Sequence, residues 1–143
     1  MKFHDRVHGS VVVDPISYLA FGRRELQRLD RIRQLGGSSF VYPSASHTRL
    51  EHSIGVYGLS GAWAQHLQKQ DPSLVSERDI LCVQLAGLFH DMGHGAYSHT
   101  FESFVRKEMD PSWSHEDMSL LMIDRVWSSF EGILTDQDRE FVR

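Results

Sequence analysis

Apolar positions along this chain change their spacing several times, and each change marks an element. In VHGSVVVDP (Val7–Pro15) β-branched residues crowd around one glycine and Pro15 stops the run, which predicts a short β-hairpin or extended arm. PISYLAF, residues 15–21, reads as a short helix. In RRELQRLDRIRQLGG, residues 23–37, Leu26, Leu29, Ile32 and Leu35 share one stripe and Gly36-Gly37 closes it, predicting a helix. SSFVYPSASHT, broken by Pro43, reads as a loop.

A long helix is predicted from Thr48 to Gln70 and ended by Asp71-Pro72. Gly55, Gly58 and Gly61 recur inside it every three residues. Each costs about 1 kcal/mol against alanine in a helix, so the repeat predicts close packing of a neighbour. The next helix opens on SERD, with Ser76 and Asp79 in a capping-box pattern. Ile80, Leu81, Val83, Leu85, Ala86, Leu88 and Phe89 cover most of its circumference, which predicts a central, buried helix. Further helices are predicted near Tyr97–Met109 and Ser114–Phe130, and a last one is N-capped by Thr135. Trp63, Trp113 and Trp127 read as packing groups, and Cys82 as core. No repeat, low-complexity stretch or internal boundary interrupts residues 1–143. The expected architecture is one all-α domain with a short N-terminal β arm.

Composition adds limits. A chain of 143 residues fits one domain, and 41% hydrophobic with 24% charged residues is ordinary for a globular protein. The net charge of −4 argues against nucleic-acid binding as a primary role, although a local basic pocket can still take an anionic substrate. Arginines 23, 24, 28, 31 and 33 read as a solvated helix face. Cys82 is the one cysteine, so an intrachain disulfide is impossible, and MKFHDRVHGS lacks the apolar stretch of a secretion signal. The expected location is intracellular, cytoplasmic or nuclear. No apolar run approaches the roughly 18 residues that span a bilayer.

Histidine changes the picture most. There are nine, six of them from His52 to His115. LAGLFHDMGHGAYSHTF (Leu85–Phe101) begins as core and then delivers His90, Asp91, His94 and His99. Burying such groups costs several kcal/mol unless each finds a partner. An imidazole and a carboxylate can ligate one divalent cation together, and the end of a helix is where sequence neighbours can converge. His52, in HTRLEHSIG, offers a second imidazole from an earlier helix. Arg49 lies three residues before it on the same face, a cation for phosphate beside a ligand for metal.

ASHTRLEHSIGV, QLAGLFHDMGHGAYSH and WSHED, together with RVHGSVVVDP and QRLDRIRQLGGSSFVYPSASH in the same order, resemble the HD-domain phosphohydrolases. In particular they resemble the deoxynucleoside triphosphate triphosphohydrolases of the SAM-and-HD-domain type, over essentially the whole chain. The resemblance implies an all-helical HD core that binds one divalent ion through an H…HD…D set. It implies cleavage of a dNTP into a deoxynucleoside and inorganic triphosphate. His52, His90 and Asp91 match the first three metal ligands, and Arg49 matches an arginine on the substrate phosphates. His94, His99 and His115 match histidines of the catalytic cleft. Glu102 stands where the family has Asp paired with the histidine matched by His115, and Gln34 and Leu35 match residues near the sugar. Histidine exchanges protons near neutrality, and His99 is the expected general acid, with the His115/Glu102 pair next. Such a ligand set suits Fe, Mn, Zn or Mg.

Two departures qualify the match. The family's fourth ligand is an Asp on a later helix, followed by Lys and Tyr, and the sequence stops before it. Asp124, Asp136 and Asp138 sit in no matching motif, so the chain reads as an HD core truncated at its C-terminus. At the family's nucleotide-activator site, Gly22 replaces an Asp and Asp30 an Arg, which argues against activation by guanine nucleotides. An apolar face left open by the absent helices would favour a homo-oligomer. Two alternatives stay open: an HD hydrolase of another phosphate ester, such as a nucleoside monophosphate or a cyclic dinucleotide, and an HD module that binds metal or nucleotide without turnover.

Overall fold

The computed structural model describes all 143 residues. Strands β1 (Lys2–Asp5) and β2 (Gly9–Val12) form an antiparallel hairpin, with Lys2 opposite Val12 and Asp5 opposite Gly9. The hairpin therefore starts five residues before the expected arm. Its turn is built by Asp5, whose Oδ1 accepts the backbone N–H groups of Val7 (2.9 Å) and His8 (2.6 Å). Gly9 leaves the turn at φ +73°, a conformation that favours glycine. Beyond the turn, Val11 and Val13 face inward and Val12 outward, the period-2 alternation of a half-buried strand.

The short helices α1 (Pro15–Tyr18) and α2 (Arg24–Gln27) follow. The continuous helix expected over 23–37 does not form. After α2 the chain tightens into a 3₁₀ turn over Arg28–Arg31, and Ile32 is extended at φ −112°, ψ 114°. The apolar spacing explains the change. Leu26, Leu29 and Ile32 recur every three residues, which aligns on a 3₁₀ turn and buries all three. The extended segment then satisfies the start of the next helix, because the Arg49 N–H donates to Ile32 O (2.8 Å) and the Gln34 N–H to His47 O (3.1 Å). Leu35 consequently leaves the core and is exposed. A further 3₁₀ turn, Gly36–Phe40, runs from the expected helix stop into the segment expected as loop.

Helix α3 (Arg49–Gln70) starts on a capping box, Thr48 with Glu51, and ends at Asp71. Helix α4 (Glu77–Phe89) starts on a second, Ser76 with Asp79. The two pack as a helical hairpin at the centre of the molecule. The glycine repeat of α3 marks close approach, as its spacing predicts. Val11 of β2 lies 3.0 Å from where a Cβ on Gly58 would stand, and the Gln84 side chain of α4 occupies the corresponding space at Gly61. Helices α5 (His99–Glu108), α6 (His115–Trp127) and α7 (Asp136–Val142) complete the fold. A core of twenty buried residues draws on β2 and most helices, with Phe3 of β1 packed against it and Tyr57, Leu85, Leu88, Phe89 and Phe130 fully enclosed. Cys82 and Trp127 join it, whereas Trp63 is exposed and stacks on His66 at 5.8 Å. Asp138 of α7 is buried against Arg78 of α4 and caps its own helix through Thr135. No helix is long and apolar enough to cross a membrane.

Candidate functional site

Helix α4 delivers its chemistry where it stops. Its C-cap is His90, still in helical conformation (φ −52°, ψ −33°), and the chain then turns tightly through Asp91–Gly95. His52 comes from the second turn of α3, packed alongside. The result is a three-donor cluster. His52 Nε2 lies 3.2 Å from His90 Nε2 and 3.6 Å from Asp91 Oδ2, and His90 Nε2 lies 3.3 Å from Asp91 Oδ1. All three donors fall within 4.8 Å of one another.

Tautomer and charge both favour coordination. His90 Nδ1 sits 2.8 Å from Gly87 O. A carbonyl only accepts, so Nδ1 carries the proton and the Nε2 lone pair turns to the other two donors. Burial pushes the His52 pKa down, against the pull of Asp91, which keeps this imidazole neutral at neutral pH. Nitrogen and oxygen ligands at about 2.0–2.2 Å from one ion stand about 3.0–3.6 Å apart, so the donor spacing fits a single ion.

Arg49 shares the α3 face with His52, but its guanidinium is buried and pairs with Asp91 Oδ2. Its Nε donates to Ser98 Oγ at 2.9 Å. The arginine expected at the substrate phosphates is thus engaged within the protein.

A second cluster adjoins the first. His94 is 2% exposed, its Nε2 lies 3.5 Å from Asp91 Oδ1, and its buried Nδ1 has no partner. It stacks on His115 with ring centroids 3.9 Å apart, and His99 stands edge-on to both at 4.9 and 5.1 Å. Glu102 Oε2 accepts from His115 Nδ1 (2.8 Å) and faces His99 Nδ1 (3.4 Å), while Oε1 pairs with Arg106 (3.2 Å). Glutamate at this position therefore still reaches the histidine that the resemblance pairs with Asp. Burial would raise the Glu102 pKa, but hydrogen bonds with His115 and His99 outweigh it and hold the group below its ordinary value. Burial, then the charge of Arg49, presses His94 down to about 4, so it is neutral at pH 7.

The turn that presents His99 is strained. Tyr97 (φ 62°) and Ser98 (φ 55°, ψ −118°) lie in the left-handed half of conformational space, at about 1–3 kcal/mol each for such residues. No glycine marks the turn, so the sequence carried no signal for it, nor for Ser98 as the partner of Arg49. Gln34 and Leu35 lie on the segment crossing the start of α3, where the Tyr97 ring comes within 3.9 Å of the Cβ position at Gly36. Gln34 Oε1 is buried without a partner. On the other side of His52 a cavity of about 440 Å³ is lined by His8, His47, Glu51 and His52 among others. His4 and His66 lie outside both histidine clusters.

Helices carrying a distributed imidazole–carboxylate set at the end of a buried helix are what an HD domain is, and residues 49–129 match that family. The chain belongs to the HD-domain family, whose members bind a divalent metal. It is similar to the deoxynucleoside triphosphate triphosphohydrolase SAMHD1 of Mus musculus, 40% identical over 152 residues that cover 99% of this chain and 23% of that protein. The SAMHD1 homolog of Dictyostelium discoideum is 41% identical over 125 residues, covering 86% of this chain and 24% of the homolog. A putative HD domain-containing protein, L394, of Acanthamoeba polyphaga mimivirus is 31% identical over 156 residues, covering 99% and 34%. The chain thus spans between 23% and 34% of these relatives' lengths.

Proposed function

We propose that the chain carries the metal and proton-transfer centre of a phosphohydrolase that cleaves a dNTP to a deoxynucleoside and inorganic triphosphate. The observation that carries this reading is the junction of two clusters at Asp91: three donors spaced for one ion, and beside them three imidazoles backed by Glu102. His52 Nε2, His90 Nε2 and Asp91 are the residues that would hold the ion. A divalent cation there supplies positive charge to phosphate oxygens and acidifies a bound water.

The chain's own residues supply the rest. Hydrolysis at the α-phosphorus must deliver a proton to the departing 5′-oxygen. His99 and His115 both direct Nδ1 at Glu102, which leaves Nε2 as the nitrogen that exchanges a proton with substrate. The Glu102 carboxylate fixes the His115 tautomer and stabilises the ring when it is protonated. His99, with its more exposed ring, is the proposed acid. His94, neutral and enclosed, packs the His115 ring in place. The unpartnered Gln34 Oε1 suits a sugar hydroxyl, and Leu35 its apolar face.

The test incubates the 143-residue chain with Mn²⁺ and each dNTP and resolves products by anion-exchange chromatography. Intact triphosphate with free deoxynucleoside is the expected result, and a His90→Ala, Asp91→Ala double variant is expected to lose the metal. Other phosphate products would move the reading to a different ester. No turnover with metal bound would make the chain a non-catalytic HD module.

A further inference from the structure

The backbone that carries Asp91 and His94 is held from outside. Where α4 ends, the carbonyls of Met92 and His94 have no helical N–H to accept. Both are taken by one side chain, Arg28, on the 3₁₀ turn 28–31. Its Nη1 donates to Met92 O and its Nη2 to His94 O, each at 2.8 Å. Arg28 has no carboxylate partner, whereas its neighbour Arg23 pairs with Glu25 at 3.7 Å. From the opposite side Ser119 of α6 accepts the Gly93 N–H (2.8 Å) and donates to His90 O (3.0 Å). Two side chains from distant elements therefore bind the backbone at residues 90, 92, 93 and 94.

We propose that Arg28 is a positioning residue of the site: its guanidinium clamps the Asp91–His94 turn and so sets where Asp91 and His94 stand relative to His52 and His90. The inference rests on the metal reading above. The side chains at stake meet at close spacing, with Asp91 Oδ1 at 3.3 Å from His90 Nε2 and 3.5 Å from His94 Nε2. A small shift of the turn changes both. Arginine is suited to the task, because its planar fork places two N–H groups on two carbonyls at once, whereas lysine concentrates its donors at one point. Its charge also lies at the C-terminal end of α4, where a cation is favoured. The run of five arginines expected as a solvated face is thus divided: Arg28 is half-buried and committed to the turn, while Arg24 and Arg31 stay exposed.

The experiment compares the native chain with Arg28→Ala and Arg28→Lys. Co²⁺ affinity and the Co²⁺ visible spectrum report the site, and amide hydrogen exchange without metal reports the turn. Arg28→Ala is expected to weaken Co²⁺ binding about 10- to 100-fold, in the range seen for supporting residues of metal sites. It should alter the spectrum and speed exchange at Gly93 and His94 while leaving the α3 amides unchanged. Arg28→Lys should fall between the two, and it carries the test if the alanine variant does not fold. Native affinity, spectrum and exchange in the variants would overturn the proposal, as would a lowered melting temperature with all three unchanged. If the native chain itself takes no Co²⁺, the metal reading fails, and Arg28 is judged on exchange alone: protected Gly93 and His94 amides in Arg28→Ala would overturn its role too.

Discussion

Gly93→Ala is the sharpest steric probe of how the site is assembled. Gly93 lies in the turn after α4, directly against the first turns of α6. A Cβ added there would fall on the His115 carbonyl oxygen, 2.5 Å from Ser119 N and 2.9 Å from the Met118 carbonyl carbon. All three are backbone atoms of a helix, so no side chain can swing away to make room. Ordinary contact requires the turn and α6 to separate by roughly 1 Å, which stretches the bonds of Ser119 to Gly93 N and His90 O. Overpacking of this kind costs about 1–3 kcal/mol, and the rigid neighbours place it near the top of that range. At about 3–4 °C per kcal/mol for a chain of this size, the melting temperature should fall by about 6–12 °C. The same displacement moves Asp91 against His52, so Mn²⁺ affinity should drop by about 10-fold or more. Gly22→Ala is the matched control, because nothing lies within 4 Å of its Cβ position and its φ is not positive. It should stay within about 0.5 kcal/mol of the native chain. Thermal melts followed by circular dichroism and Mn²⁺ titration read both quantities. Gly93→Ala with native melting and native affinity would refute the contact between turn and helix.

Two further outcomes follow from the same geometry. His94, held down to about 4 from 6.5 by burial and by Arg49, binds its proton more readily in the unfolded chain, so stability is full above about pH 6.5 and is lost as pH falls toward 4. The loss amounts to at most about 3 kcal/mol, and His94→Gln should flatten it in urea titrations at pH 7.5 and 5; an acid limb of equal depth in the variant would clear His94 as its source. Exhaustive chelation should leave the helical signal and a cooperative melt, because the fold rests on a twenty-residue apolar core and Asp91 keeps Arg49 as counter-ion. Collapse of the helical signal on chelation would make the ion a structural element.

What the sequence made legible was whatever repeats locally. The start of α4 follows from its capping box and the end of α3 from Asp71, and the glycine spacing in α3 foretold its close neighbours. His52, His90 and Asp91 were readable as a set because each stands at a helix position that can converge. Three features were not readable. The helix expected over 23–37 gave way because a three-residue apolar spacing satisfies a 3₁₀ turn as well as an α-helix, and the N-terminus of α3 needed acceptors. The strained turn at Tyr97 and Ser98 carries no glycine, so only tertiary support reveals it. Arg28 looked like its neighbours in the run, and its role appears only when residues 64 and 66 positions away are brought to it.

The burial of Arg49 ties these parts together. A carboxylate as enclosed as Asp91 needs a charged partner, and the guanidinium of Arg49 beside it supplies one. The same guanidinium reaches Ser98 through Nε, and a hydrogen bond of this charged kind contributes about 1.5–3 kcal/mol, comparable with the strain of the turn it holds. One residue in the first turn of α3 therefore supports the carboxylate of the first cluster and the turn that starts α5 at His99. His52, three positions further on, belongs to the same rigid helix. Arg49 at the start of α3 thus links the two clusters, joining Asp91 of the first to the turn that presents His99 of the second.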